Sequence, residues 1–198
     1  MVIYDAAAPR RKVFLRGGLS RVMPMPVAHA LAGAALVAAA HPRAAARRHY
    51  LPLAAGALLA NAADLDFLLV FALGSRDWHR GFTHSLAFAL LVCLAFSLVL
   101  GARRVREVTA YGLAYASHAV LDFATTSESR GLELLWPFSA DRLGLRWWGL
   151  SETPSRLPPT EILQALCLEL ALFAPLLLFV LLLRRVAARR RARAATVE

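Results

Sequence analysis

Charged side chains lie inside apolar runs long enough to cross a bilayer, and this conflict leaves the chain few folds. The runs are 51–73, 107–124 and 161–183, with 85–101 at the ~17-residue lower limit for a spanning helix. A fifth run, 27–40 (VAHALAGAALVAAA), is apolar but short. A bilayer core satisfies no backbone polar group, so such runs must be helical. The expected fold is all-α, a polytopic membrane helix bundle of four or five transmembrane segments. Composition agrees: apolar residues make up 59% of the chain and charged residues 18%. That is too apolar for a disordered chain and for an ordinary soluble enzyme.

The net charge is +10, and every basic residue except Lys12 is arginine. Arginine abundance beside alanine abundance reads as composition bias, so no nucleic-acid partner is expected. Arg43, Arg47 and Arg48 form one cluster, Arg103, Arg104 and Arg106 a second, and the tail from Arg184 a third. Placing all three in the cytoplasm gives one five-span topology for a multi-pass membrane protein. The basic stretch 10–21 conflicts with it. A start at Met23 or Met25 would remove the conflict; a signal peptide with 27–40 as its core is the alternative. The expected organisation is therefore a basic extension at 1–22, a membrane-embedded domain at 23–183 and an Arg-rich cytoplasmic tail at 184–198. Trp78, Trp136, Trp147 and Trp148 all fall in the two outward loops, as an interfacial belt would require. Cys93 and Cys167 stand alone in apolar runs and indicate neither a zinc knuckle nor a disulfide framework.

Each ionisable group at mid-helix costs ~2.5–3.5 kcal/mol on insertion scales, so those present need either a structural partner, as a packed histidine, cap or buried acceptor has, or a functional role. On the derived topology His29 opens the first run from outside, Asp64 and Asp66 lie in the outer half of the second, and His79 and His84 precede the third. His118 and Asp122 close the fourth. These seven gather toward the outer face, and His with Asp is the ligand set of zinc and similar divalent metals. His118 and Asp122 are i,i+4 and share a helical face. Gly81 allows a turn between His79 and His84, with Thr83 or Ser85 capping the helix that follows. Asp64 and Asp66 are i,i+2, so either the helix breaks there or one binds metal while the other orients a histidine. Glu169 has no evident partner in its apolar run, and His41 and His49 are expected to be solvated.

His79-Arg80-Gly81-Phe82-Thr83-His84-Ser85, Ser117-His118-Ala119-Val120-Leu121-Asp122 and Leu135-Trp136-Pro137-Phe138-Ser139, in that order after Met25-Pro26-Val27-Ala28-His29, resemble the YdjM-like inner-membrane metal-dependent hydrolases. That family tends to have Pro-Asp-Leu-Asp where this chain has Ala63-Asp64-Leu65-Asp66. The resemblance implies a membrane-embedded hydrolase with a divalent metal, zinc first, held by His29, Asp64, Asp66, His79, His84, His118 and Asp122. A more distant likeness to zinc-dependent phospholipase C and related nucleases suggests phosphoesters.

The expected reaction is hydrolysis of an ester or phosphoester of an amphiphilic substrate at the outer membrane face. Asp64 or Asp66, whichever is not a ligand, would be the general base. Arg80 would pair with a phosphate oxygen, or else with Asp77, and the Trp-rich loop 131–150 would form a lid. The alternative is a metal-ion or proton-coupled transporter using the same cluster.

Overall fold

The structure, a computed structural model, describes residues 26–41, 50–126, 131–145 and 159–194. The N-terminal extension 1–22, Arg43, Arg47, Arg48, His49, Trp147 and Trp148 lie outside these residues. The described residues are helical apart from turns and one isolated antiparallel bridge, Leu132 with Leu143. The helices are α1 (Pro26–Ala40), α2 (Leu51–Asn61), α3 (Phe67–Leu73), α4 (Leu86–Leu100), α5 (Val105–Thr125) and α6 (Pro159–Ala194). A 3₁₀ turn, Ala62–Asp66, joins α2 to α3.

Local sequence explains the boundaries. Pro52 sits in the first turn of α2, where its missing N–H costs nothing. The α3 helix stops at Gly74 in the left-handed conformation. Ser85, not Thr83, caps α4: its Oγ accepts from the Phe88 N–H at 3.0 Å. The α6 helix runs past residue 183, so the first part of the Arg-rich tail continues the apolar helix.

The bundle is built around α1 and α5. The α1 helix packs against α2, α5 and α6, and α5 also packs against α2 and α4. The α1 and α6 helices run parallel. Glu169 of α6 accepts from the Ala28 N–H at 3.1 Å, and Arg184 donates to the carbonyls of Ala39 and His41 at 2.9 Å. Glu169 is thus a buried acceptor for the first turn of α1, and Arg184 ties down the last. His41 is buried rather than solvated, 3.9 Å from Glu107.

Among the described residues, two helices are long and apolar enough to cross a bilayer: Leu51–Leu73, with its 3₁₀ interruption, and Ile162–Ala194. A third is reached if Arg76–His84 and Leu86–Leu100, bent by 56°, count as one span. By length and hydropathy the count is lower than the expected four or five. The α1 helix has 15 residues, a rise of ~22 Å against a hydrocarbon core of ~30 Å. The α5 helix is long enough at 21 residues, but Arg106, Glu107, Ser117, His118 and Asp122 make it too polar. Both inner helices are covered by protein along one face, whereas α6 is almost wholly exposed. Hydropathy therefore marks the lipid-facing helices and under-reads the ones that carry polar side chains inward.

Small residues set the closest packing. A Cβ on Gly33 would lie 2.5 Å from the Ala60 Cβ and nearer still to the Gly56 carbonyl oxygen; one on Gly56 would lie 2.5 Å from the Val37 Cγ2. Without side chains there, the α1 and α2 backbones meet directly. Gly33→Val is expected to force them apart and to destabilise the protein by ~1–3 kcal/mol or more, as over-packing does. Its thermal midpoint in detergent against that of wild type measures this.

Candidate metal centre

Three pieces of chain converge where α1 begins and α5 ends. The first is the 3₁₀ turn Ala62–Asp66. The break occurs with Ala63 in place of proline, so a proline is not needed to make it. The second is the turn 79–84, in which Arg80 takes a left-handed φ of 62°. A non-glycine residue there is strained by ~1–2 kcal/mol. Three anchors hold it: its N–H donates to Asp66 Oδ2 (2.9 Å), its carbonyl accepts from the Glu133 N–H (3.0 Å), and its Nε donates to Asp122 Oδ2 (3.0 Å). The third is the end of α5, which carries His118 and Asp122. His29, in the first turn of α1, stacks on His118 with ring centroids 3.9 Å apart.

The hydrogen bonds determine which ring nitrogens face inward. His118 Nδ1 lies 2.6 Å from the Ala60 carbonyl, which can only accept, so Nδ1 carries the proton and Nε2 a lone pair. Thr83 Oγ1 donates to Asp66 Oδ2 at 3.1 Å and therefore accepts from His84 Nδ1 at 3.0 Å. His84 also turns its Nε2 lone pair inward. His79 Nδ1 donates to Asp66 Oδ1 at 3.0 Å. Asp66, fully buried, thus meets His79, Arg80 N–H, Thr83 and His84 together.

The inward-facing atoms lie close together without being bonded. His118 Nε2 is 3.4 Å from Asp64 Oδ1 and 3.8 Å from Asp122 Oδ2. His84 Nε2 is 3.6 Å and 3.8 Å from the same two oxygens. His29 Nε2 is 3.4 Å from Asp122 Oδ1. His84 Nε2, His118 Nε2 and His29 Nδ1 are buried with no hydrogen-bond partner. These gaps exceed the ~3.2 Å limit of a good hydrogen bond. They are close to the ~3.3–3.5 Å that separates two tetrahedral ligands with bonds of ~2.0–2.2 Å to one zinc ion.

Three overlapping sets have ligand atoms within 4.8 Å of one another: His29, His118 and Asp122; Asp64, His84 and His118; Asp64, Asp66 and His79. His118 and Asp64 each belong to two sets. All seven His and Asp residues singled out in the sequence therefore meet in one cluster, and Arg80 forms its wall through Asp122 rather than standing apart.

Some contributors carry no signal in the spacing. Arg142 donates to the His79 carbonyl at 3.1 Å and pairs with Glu133 at 3.0 Å, tying the segment 131–145 to the turn. Tyr115 donates to the Thr83 carbonyl at 2.8 Å; its position three before His118 was the available hint. Asn61 leaves a buried Oδ1 without a partner just before the 3₁₀ turn.

Asp66→Asn tests the division of roles. An amide oxygen cannot accept from all three donors, His79, the Arg80 N–H and Thr83, so metal affinity is expected to fall ~10–100-fold, the usual effect of losing an outer partner of a ligating histidine. Competition with a chromogenic chelator measures this.

The fold and site define a helical membrane protein with a buried His/Asp cluster at one end of the bundle. A family model, the YdjM inner membrane protein, matches residues 23–192, and the chain belongs to that family. The chain is 35% identical over 106 residues to inner membrane protein YbcI of Escherichia coli (strain K12), an alignment covering 51% of this chain. It spans 60% of that relative's length. No solved structure matches. Membership places the chain among bacterial inner membrane proteins.

Proposed function

We propose that the protein is a metal-dependent hydrolase of the inner membrane, acting on an ester or phosphoester of an amphiphile. The observation behind this reading is the pair of bare, buried Nε2 atoms of His84 and His118, each 3.4–3.8 Å from Asp64 and Asp122. Two orphaned imidazole lone pairs facing two carboxylates are costly to bury in any state lacking a cation. His29, Asp64, His84, His118 and Asp122 would hold a divalent ion, zinc by ligand type, and the overlap of the three sets suits more than one. When bound, the ion supplies a Lewis acid that polarises the scissile group and acidifies water toward pH ~7.

The remaining roles follow from the contacts. Asp66 is saturated by its donors and orients His79 and His84. Asp64, with 33% of its side chain open to solvent, would hold the ion through one carboxylate oxygen and leave the other to take the proton of the attacking water. Arg80 aims Asp122 and brings to the site a guanidinium suited to a phosphoester oxygen. The site faces outward in this reading. The basic residues Arg106 and Arg184 line a shared cleft beside Ala39 and Ala40, at the far end of α1 from His29.

The test is the full chain in detergent, analysed for bound metal and then offered lipid phosphates, phosphodiesters and carboxylic esters. Turnover is expected that chelator abolishes and zinc restores. A metal-free protein that takes up no zinc would refute the reading, and metal-driven flux in liposomes without turnover would favour the transporter.

A further inference from the structure

A groove of about 910 Å³ runs along the exposed side of α4. Its floor includes Leu86, Leu90, Leu94 and Ser97, and its roof is the turn Leu134–Phe138. Apart from Ser97, Cys93 and the Trp136 indole, every lining residue is hydrocarbon. From Leu86 to Ser97 the helix rises ~16 Å, about half of a ~30 Å hydrocarbon core, the depth of a single leaflet.

The roof of this groove is joined to the turn that carries part of the His/Asp cluster. The Leu134 carbonyl accepts from the Leu86 N–H at 3.1 Å, and the Glu133 N–H donates to the carbonyl of Arg80. Trp136 packs on Phe82, with centroids 5.7 Å apart, two residues before His84. A chain lying in the groove therefore has its upper end beside the turn that carries His79, Arg80 and His84.

We propose that this groove holds one acyl chain of a membrane lipid and thereby presents the lipid's polar group to the cluster. The proposal rests on the hydrolase reading and narrows its substrate to a lipid of the outer leaflet. A transmembrane helix of a partner fits less well. Helices in bilayers meet through small residues and interhelical hydrogen bonds, and this groove offers large leucines. Phe138, 93% exposed at the roof, places an aromatic ring at the groove's upper end, where ring and headgroup meet.

The experiment uses the full chain in nanodiscs of phosphatidylethanolamine and phosphatidylglycerol, doped with phosphatidylglycerol bearing a diazirine midway along one acyl chain. After illumination, labelled peptides are mapped by mass spectrometry, and bound metal is measured on the same samples. Labelling is expected to concentrate on 86–97 and 134–138, above the level on the exposed face of α6. Leu94→Trp, which fills the groove, should bring it down to that level, while Leu172→Trp on α6 should not. Even labelling of α4 and α6, the mark of ordinary surrounding lipid, would overturn the proposal, as would crosslinking of the groove to a second copy of the chain. Metal content separates the two readings. A loaded centre with even labelling removes the groove proposal alone. An empty centre with concentrated labelling removes the hydrolase and leaves a lipid site.

Discussion

His84→Ala is expected to lose bound metal outright, while His79→Ala retains part of it. His84 contributes a buried Nε2 between Asp64 and Asp122, and its other nitrogen is held by Thr83 and Asp66. Its removal deletes a donor and also leaves two carboxylates facing each other across a gap. Affinity should fall by more than the ~10–100-fold typical of losing only an outer partner. His79 is 24% exposed and meets the cluster through Asp66 and Asp64, so its loss leaves the buried Nε2 atoms of His84 and His118 in place. His118→Ala should match His84→Ala, because His118 also turns a bare Nε2 toward Asp64 and Asp122. Metal analysis after desalting, with circular dichroism to verify helicity, gives the order. Equal and full occupancy in all three variants would exclude a cation held by these histidines.

Arg80→Met should destabilise the metal-free protein far more than the metal-loaded one. Arg80 Nε is 3.0 Å from Asp122 Oδ2, and both side chains are more than nine-tenths buried. Removing one partner of a buried ion pair costs ~3–5 kcal/mol, since the other charge is left uncompensated. A divalent ion beside Asp122 would supply that compensation, so zinc should restore much of the lost stability. The measurement is unfolding in denaturant with zinc and with chelator, for wild type and variant. A deficit of equal size in both conditions would show that Asp122 gains nothing from the metal. Arg80→Lys keeps the charge but not the Nε geometry, and should fall between the two.

The legible part of the site was local. The i,i+4 spacing of His118 and Asp122 put both on one helical face, and Nε2 and Oδ2 indeed lie 3.8 Å apart. Gly81 signalled the turn that brings His79 and His84 to one side, their rings 5.7 Å apart. Charge counting gathered the seven His and Asp residues toward one membrane face, and in the structure they meet at one end of the bundle. The span count came out lower than four or five because α1 is short and α5 is polar. The α5 helix turns its polar residues inward, and α1 has protein for a neighbour along much of its length.

Glu169 was unreadable for a different reason. Its acceptor role depends on the Ala28 N–H, 141 positions away along the chain. The Arg142–Glu133 clamp likewise needs the 131–145 segment to fold back onto the 79–84 turn, and no periodicity encodes that return.

Alone, the sequence determined the membrane class, the helical fold and which side chains were too costly to bury without a purpose. Hydrophobic run length and the expense of charge in hydrocarbon act locally, so both can be read residue by residue. Only the tertiary structure decided that Asp66 orients while Asp64 and Asp122 face inward. It also decided which nitrogen of His79, His84 and His118 carries the proton. Those outcomes depend on hydrogen-bond partners from separate helices, and the partners become neighbours only when the bundle closes.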